Sequence, residues 1–202
     1  MPTLARRFAA STVLMLLPAL GAAQSRGALQ DNMRRLWSDH VTWTRAFIVS
    51  TAAALPEKDA TAVRLMQNQT DIGDLLASYY GQESGAKLTA LLKAHVVIAG
   101  DIILAVKANK PVKVDSLDKQ WRSNVDEIAV LLNKMNAKNW TVAAMHTAMT
   151  AHLEETLAEV QHHLHGDFAA DIADFGMMEK HALMMADMLT AGIVAQFPAK
   201  FR

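Results

Sequence analysis

The 202-residue chain has no cysteine. That absence removes disulfide scaffolds, cysteine-based zinc sites, iron–sulfur clusters and thiol catalysis together. Neither sign of charge is in excess, since 20 Lys and Arg face 20 Asp and Glu. Without a basic block or face, nucleic acid is not an expected partner. No stretch alternates apolar and polar residues with period 2, so no strands are expected. There is no glycine-rich phosphate loop and no G-x-S-x-G nucleophile turn. Repeats, low-complexity tracts and linkers are also missing, and the length suits one compact domain.

The chain opens with Arg6 and Arg7, then an apolar run from Phe8 to Leu20, then Gly21, Ala22 and Ala23. Charged, apolar and small segments in that order make a secretory signal over residues 1–23. Read instead as a membrane span, the run falls short of the roughly 20 residues required, and Pro18 interrupts it. No cysteine follows it to carry a lipid, and Arg6-Arg7 has only part of a twin-arginine motif. Cleavage removes two arginines and no acid. Residues 24–202 are then expected as a single domain, periplasmic or secreted, with no stable membrane anchor.

That domain is rich in Ala, Leu, Met, Lys, Glu and Gln, all strong helix formers. The 3,4 spacing of Leu29, Met33, Leu36, His40, Thr44, Phe47 and Thr51 predicts a helix over about 29–55. Pro56, Glu57 and Asp59 suit the start of a short helix ending near Asn68. Asp71 is a candidate cap for another short piece ending at Gly81. Ser84 is a candidate cap for a long helix to about Ala108, apolar nearly all round and so expected in the middle of a bundle. Further helices are predicted from Asp115 or Ser116 to Met135, from Asn139 or Thr141 to His165, and from Asp167 to Gln196. The sum is an all-α antiparallel up-down bundle with short accessory helices.

Polar residues on otherwise apolar faces are the functional clue. His40 and His95 interrupt the stripes of their helices, and Asn124 interrupts the face Leu117, Trp121, Ile128, Leu131. His152 follows Met145 and Met149 on one face, and His181 follows Asp174 and Met178 on another. His40, His95, His152 and His181 each lie near the middle of their own helix. In an up-down bundle such positions share one level, and bundle metal sites are built from side chains that converge there. Neutral imidazole is the commonest metal ligand, and a carboxylate such as Glu155 adds charge balance. The expectation is a single transition metal ion (zinc, copper or iron) on His40, His95, His152, His181 and Glu155. Only one His/Glu pair of the kind a di-iron centre repeats is present, in reversed order. Trp43, Arg45 and Asn124 are candidates to line a small-ligand pocket; the alternative is that Trp43 packs and Arg45 pairs with an acid at the surface. The methionines of the last two helices read as core filler, with copper handling as the other possibility. His162, His163 and His165 read as charges suited to a helix C-terminus.

Several segments also resemble a known group. LWSDHVTWTRAFIVS (36–50), RLMQNQTDIGDLLASYYG (64–81), LLKAHVVIAGDIILAVKA (91–108), WRSNVDEIAVLL (121–132), HLEETLAEV (152–160) and MADMLTAGIVAQFPAKF (185–201) are similar to a family of small bacterial helical proteins of uncharacterised function. Its members often carry the labels glycosyltransferase or acetylglutamate kinase, for which this sequence has no nucleotide motif. The resemblance implies recurring polar residues at His40, Arg45, Asn68, His95, Asn124, Glu127, His152, Glu155 and Asp187. The functional expectation is an exported bundle with a His/carboxylate site at mid-height. An enzyme using the same cavity, or a structural bundle that binds partners without such a site, are the alternatives.

Overall fold

A computed structural model describes residues 25–201. The expected signal segment, 1–23, lies outside the described residues. Six long helices follow one another: α1 (Arg26–Ala52), α2 (Lys58–Tyr80), α3 (Gln82–Lys107), α4 (Pro111–Met135), α5 (Val142–His165) and α6 (Phe168–Gln196). A single 3-10 turn over Pro198–Lys200 ends the described chain. No strand occurs among the described residues.

Local chemistry sets the boundaries. Ser25 Oγ accepts from the Ala28 amide at 3.0 Å, Thr141 Oγ1 from Ala144 at 3.2 Å and Asp167 Oδ1 from Ala170 at 3.2 Å. Each removes one of the orphan donors of a helix start. Pro111 opens α4, where its missing N–H costs nothing. Gly166 ends α5 in the left-handed region at φ 80°. Gly81, at φ 86°, reverses the chain between α2 and α3 in one residue.

Two expectations are corrected. The short pieces predicted over 57–81 are one helix, α2. Asp71 caps nothing; it accepts from Gln67 Nε2 at 3.0 Å, one turn earlier. Asn68 and Gln69 lie on the buried face of α2, and the Asn68 amide donates to the Leu36 carbonyl of α1 at 2.9 Å. The polar run at 67–71 therefore contains an interhelical contact, and among the described residues the only accessory element is the 3-10 turn. Nor does α3 lie inside a shell of helices.

The six helices close into a ring, each packing on its sequence neighbours and α6 returning to α1. Helix α3 sits between α2 and α4, with Val97 and Leu104 exposed on its outer side. By length and composition it is the one described helix apolar enough to cross a membrane. Glycines draw it against α2: a Cβ on Gly85 would stand 2.5 Å from the Ala77 Cβ and 2.6 Å from the Gly73 carbonyl oxygen. Because direction alternates round the ring, α1, α3 and α5 run the same way, and these three also touch across the middle. A continuous core from Leu29 to Ile193 fills the ring. At mid-height its apolar character is broken by polar side chains.

Candidate functional site

Three imidazoles meet where α1, α3 and α5 face one another. His40, His95 and His152 are 6%, 3% and 2% exposed. The Nε2 atoms of His40 and His152 are 3.4 Å apart. The rings of His95 and His152 stack with centroids 6.2 Å apart, 19° from parallel. Trp121 packs on His95 with centroids 5.0 Å apart, and Trp37 on His40 at 6.0 Å.

Asn124 sets the tautomer of His95. Its Nδ2 donates to the Leu91 carbonyl at 3.1 Å, so its Oδ1 is the atom 2.9 Å from His95 Nδ1. Nδ1 therefore carries the proton of neutral His95, and Nε2 is a bare lone pair. That nitrogen is buried without a hydrogen-bond partner.

His40 is held from α2. Gln69 Nε2 lies 3.1 Å from His40 Nδ1, 2.9 Å from the Leu65 carbonyl and 3.1 Å from Asn68 Oδ1. In this setting Nδ1 accepts, and neutral His40 keeps its proton on Nε2, the atom nearest His152. Two amide hydrogens face three acceptors, while Gln69 Oε1 is buried without a partner. Turning the amide over would let Oε1 accept from a His40 Nδ1–H and free the Nε2 lone pair.

All three rings are neutral. Burial lowers His40 from 6.5 to about 3, with repulsion from His95 adding to it. Burial lowers His95 to about 4, opposed by the Asn124 bond. His152 falls well below 6.5, through burial first and then the charges of His40, His95 and His181. Two small cavities adjoin the trio. One of about 20 Å³ touches all three rings, Thr44, Trp121 and Thr156. The other, about 10 Å³, is walled by the three rings, Gln69, Trp37 and Met149. Such spaces suit one water or one ion, far below the roughly 300–1,000 Å³ of pockets for organic ligands. As they stand, no three His, Asp or Glu side chains among the described residues are grouped closely enough to hold one metal ion.

The remaining candidates are elsewhere. His181 Nδ1 pairs with Glu155 Oε2 at 2.9 Å between α5 and α6, and neither lines the cavities at the trio. Trp43 lies under the Arg64 guanidinium, 5.4 Å from ring centroid to carbon. Arg45 takes up two buried acids near the α5–α6 turn. Its Nη1 bonds Glu159 Oε1 and Asp171 Oδ1, both at 2.7 Å, and its Nη2 bonds Asp171 Oδ2 at 3.0 Å. His163 donates to Asp171 at 3.0 Å and His162 to Asp174 at 2.5 Å. Burial pushes Glu159 up to about 7 despite Arg45, and its Oε2 has no partner. Burial also acts to raise Asp171, but the bonds from Arg45 and His163 outweigh it and hold its carboxyl low.

Sequence reasoning missed Gln69, and it did not identify the buried Glu159 and Asp171 as the acids that Arg45 pairs with. The signal for Gln69 was its place in the polar run at 67–71. Glu159 stood at the end of the Met145, Met149, His152, Thr156 spacing, and Asp174 at the start of its own. No family model, curated protein or solved structure matches the chain.

Proposed function

We propose that this chain binds a single transition metal ion at the centre of the bundle. His40, His95 and His152 are the ligands, and Asn124 orients His95. The observation that carries this reading is the His95 Nε2 lone pair, buried, unprotonated and unpartnered beside two more neutral imidazoles. Ligand imidazoles commonly donate their second N–H to an oxygen, as His95 does to Asn124. The His40–His152 separation of 3.4 Å is long for a hydrogen bond. It suits two nitrogens bound at about 2.0–2.1 Å to one tetrahedral ion, which stand about 3.3–3.4 Å apart. Ligation by His40 requires the Gln69 amide to turn over, and a third bond requires His95 to close on the pair. With export directed by residues 1–23, the site would work in the periplasm or outside the cell.

A second reading is favoured by the indole nitrogens. Trp37 Nε1 and Trp121 Nε1 are buried donors without partners. Waters in the two cavities would satisfy them and His95 Nε2 together, giving a structural bundle with no bound metal. At the histidine trio, catalysis on a substrate of organic size is disfavoured by the volumes of the two cavities there.

Elemental analysis of protein purified without a His tag separates the readings. Near one metal per chain is expected, lost in His95→Gln. Protein free of metal as purified, and taking up none on titration with zinc, copper and iron salts, would overturn the proposal.

A further inference from the structure

We infer that the ion is monovalent copper and that the Met149 thioether belongs to its ligand set. The inference rests on the metal reading above and narrows it. Met149 lies on α5, three residues before His152, and is buried. It walls the 10 Å³ cavity together with the three imidazoles. The same side chain walls a neighbouring cavity of about 20 Å³ that Met145, Met185 and Met188 share with apolar residues only. The histidine site therefore adjoins a space with four thioethers and no carboxylate.

Charge and softness each select the ion. Every polar group that bonds the three rings is an amide or another imidazole, so the site supplies no negative charge. The carboxylates nearest in sequence are taken elsewhere, Asp39 by Arg35 and Arg64, Glu154 by Arg122 and Glu155 by His181. The cost of burying an ion rises with the square of its charge, so a divalent ion costs about four times a monovalent one of equal size. A neutral, apolar-walled site thus discriminates against Zn(II) and Fe(II). The second is softness. Imidazole accepts many metals, but thioether sulfur favours Cu(I) over the harder divalent ions.

The test titrates the full chain, purified without a tag, with Cu(I) under anaerobic reducing conditions against a chromogenic Cu(I) chelator. Ag(I), a redox-inert monovalent stand-in, and Zn(II) are run beside it. One Cu(I) per chain, a rise in melting temperature with Cu(I) and Ag(I), and none with Zn(II) are expected. Met149→Leu conserves volume and is expected to weaken Cu(I) at least tenfold with metal-free melting little changed. X-ray absorption on the wild-type copper form is expected to show a sulfur neighbour, which keeps the test decisive should the variant fold poorly. Zn(II) binding as tightly as Cu(I) would overturn the copper assignment, and a copper spectrum with nitrogen neighbours alone would overturn Met149 as a ligand; either leaves the metal reading standing. No uptake of any ion would overturn both.

Discussion

The centre of the bundle and the α5–α6 end both bury polar side chains, with histidines inside the first and partly exposed at the second, yet their physics is opposite. At the centre, His40, His95 and His152 contact amides, indoles and one another, and burial holds them neutral. At the end, His162 and His163 face Asp174 and Asp171, and Arg45 is shared between two acids. An aspartate partner raises His162 above 6.5, where burial and repulsion from His95 lower His40. What separates an ionic cluster from a ligand-ready imidazole is therefore the neighbouring helix, not the residue type. The end is held by compensated charge. At the centre one lone pair has no partner, and a group of that kind accepts a metal or a water.

The largest effect should come from breaking the charged end. Arg45→Met leaves Glu159 and Asp171, 0% and 1% exposed, without their cation. Removing one member of a buried ionic group costs about 3–5 kcal/mol. Urea unfolding at pH 7 reads this, and a loss under about 1 kcal/mol would mean that the cluster is solvated.

The next two predictions set the regions against each other through pH. Glu159 has a folded pKa of about 7, above its ordinary 4.5, so the folded chain binds more protons than the unfolded one between those values. Its contribution is complete below pH 4.5 and is lost as pH rises through 7, about 3 kcal/mol in all. Glu159→Gln should remove that alkaline limb, seen as a change in the stability gap between variant and wild type from pH 5 to 8. Parallel curves would show an ionised Glu159.

At the centre the sign reverses. His95 has a folded pKa of about 4, below 6.5, so the unfolded chain binds the extra proton. Its contribution is complete above pH 6.5 and is lost as pH falls toward 4. By pH 5, the loss is about 2 kcal/mol, because that pH lies 1.5 units below the unfolded value. His95→Gln should flatten the acid limb of the metal-free protein by this amount. An equal slope in both proteins would place His95 in solvent. The smallest effect is expected between the two regions. His181→Gln keeps a donor for Glu155 and should cost under about 1 kcal/mol in the same unfolding assay. A loss matching that of Arg45→Met would join the His181–Glu155 pair to the charged cluster.

Much of this was legible in the residues. Helical spacing marks the long helices other than α2, and Thr141, Gly166 and Asp167 mark helix ends, because caps and backbone preferences act over three or four residues. The shared level of His40, His95 and His152 was also legible, since mid-helix positions coincide in any up-down bundle. The length of α2 was not. Its polar run resembles a break until α1 supplies the Leu36 carbonyl and His40 as partners. For the same reason Gln69 could not be read as the residue that holds His40.

By itself, the sequence determined that the described chain is helical, and, outside the 57–81 region, how many long helices it has and which faces carry buried polar groups. These follow from periodicity and local capping, which need no knowledge of neighbours. Only the tertiary structure decided that the ring brings α1, α3 and α5 together, so that three histidines meet while His181 turns to Glu155. Arg45 likewise met Glu159 and Asp171 only through the closure of α6 on α1. Pairing between helices depends on which ones become adjacent. Residues separated by 112 positions, as His40 and His152 are, share no local signal that could announce their contact.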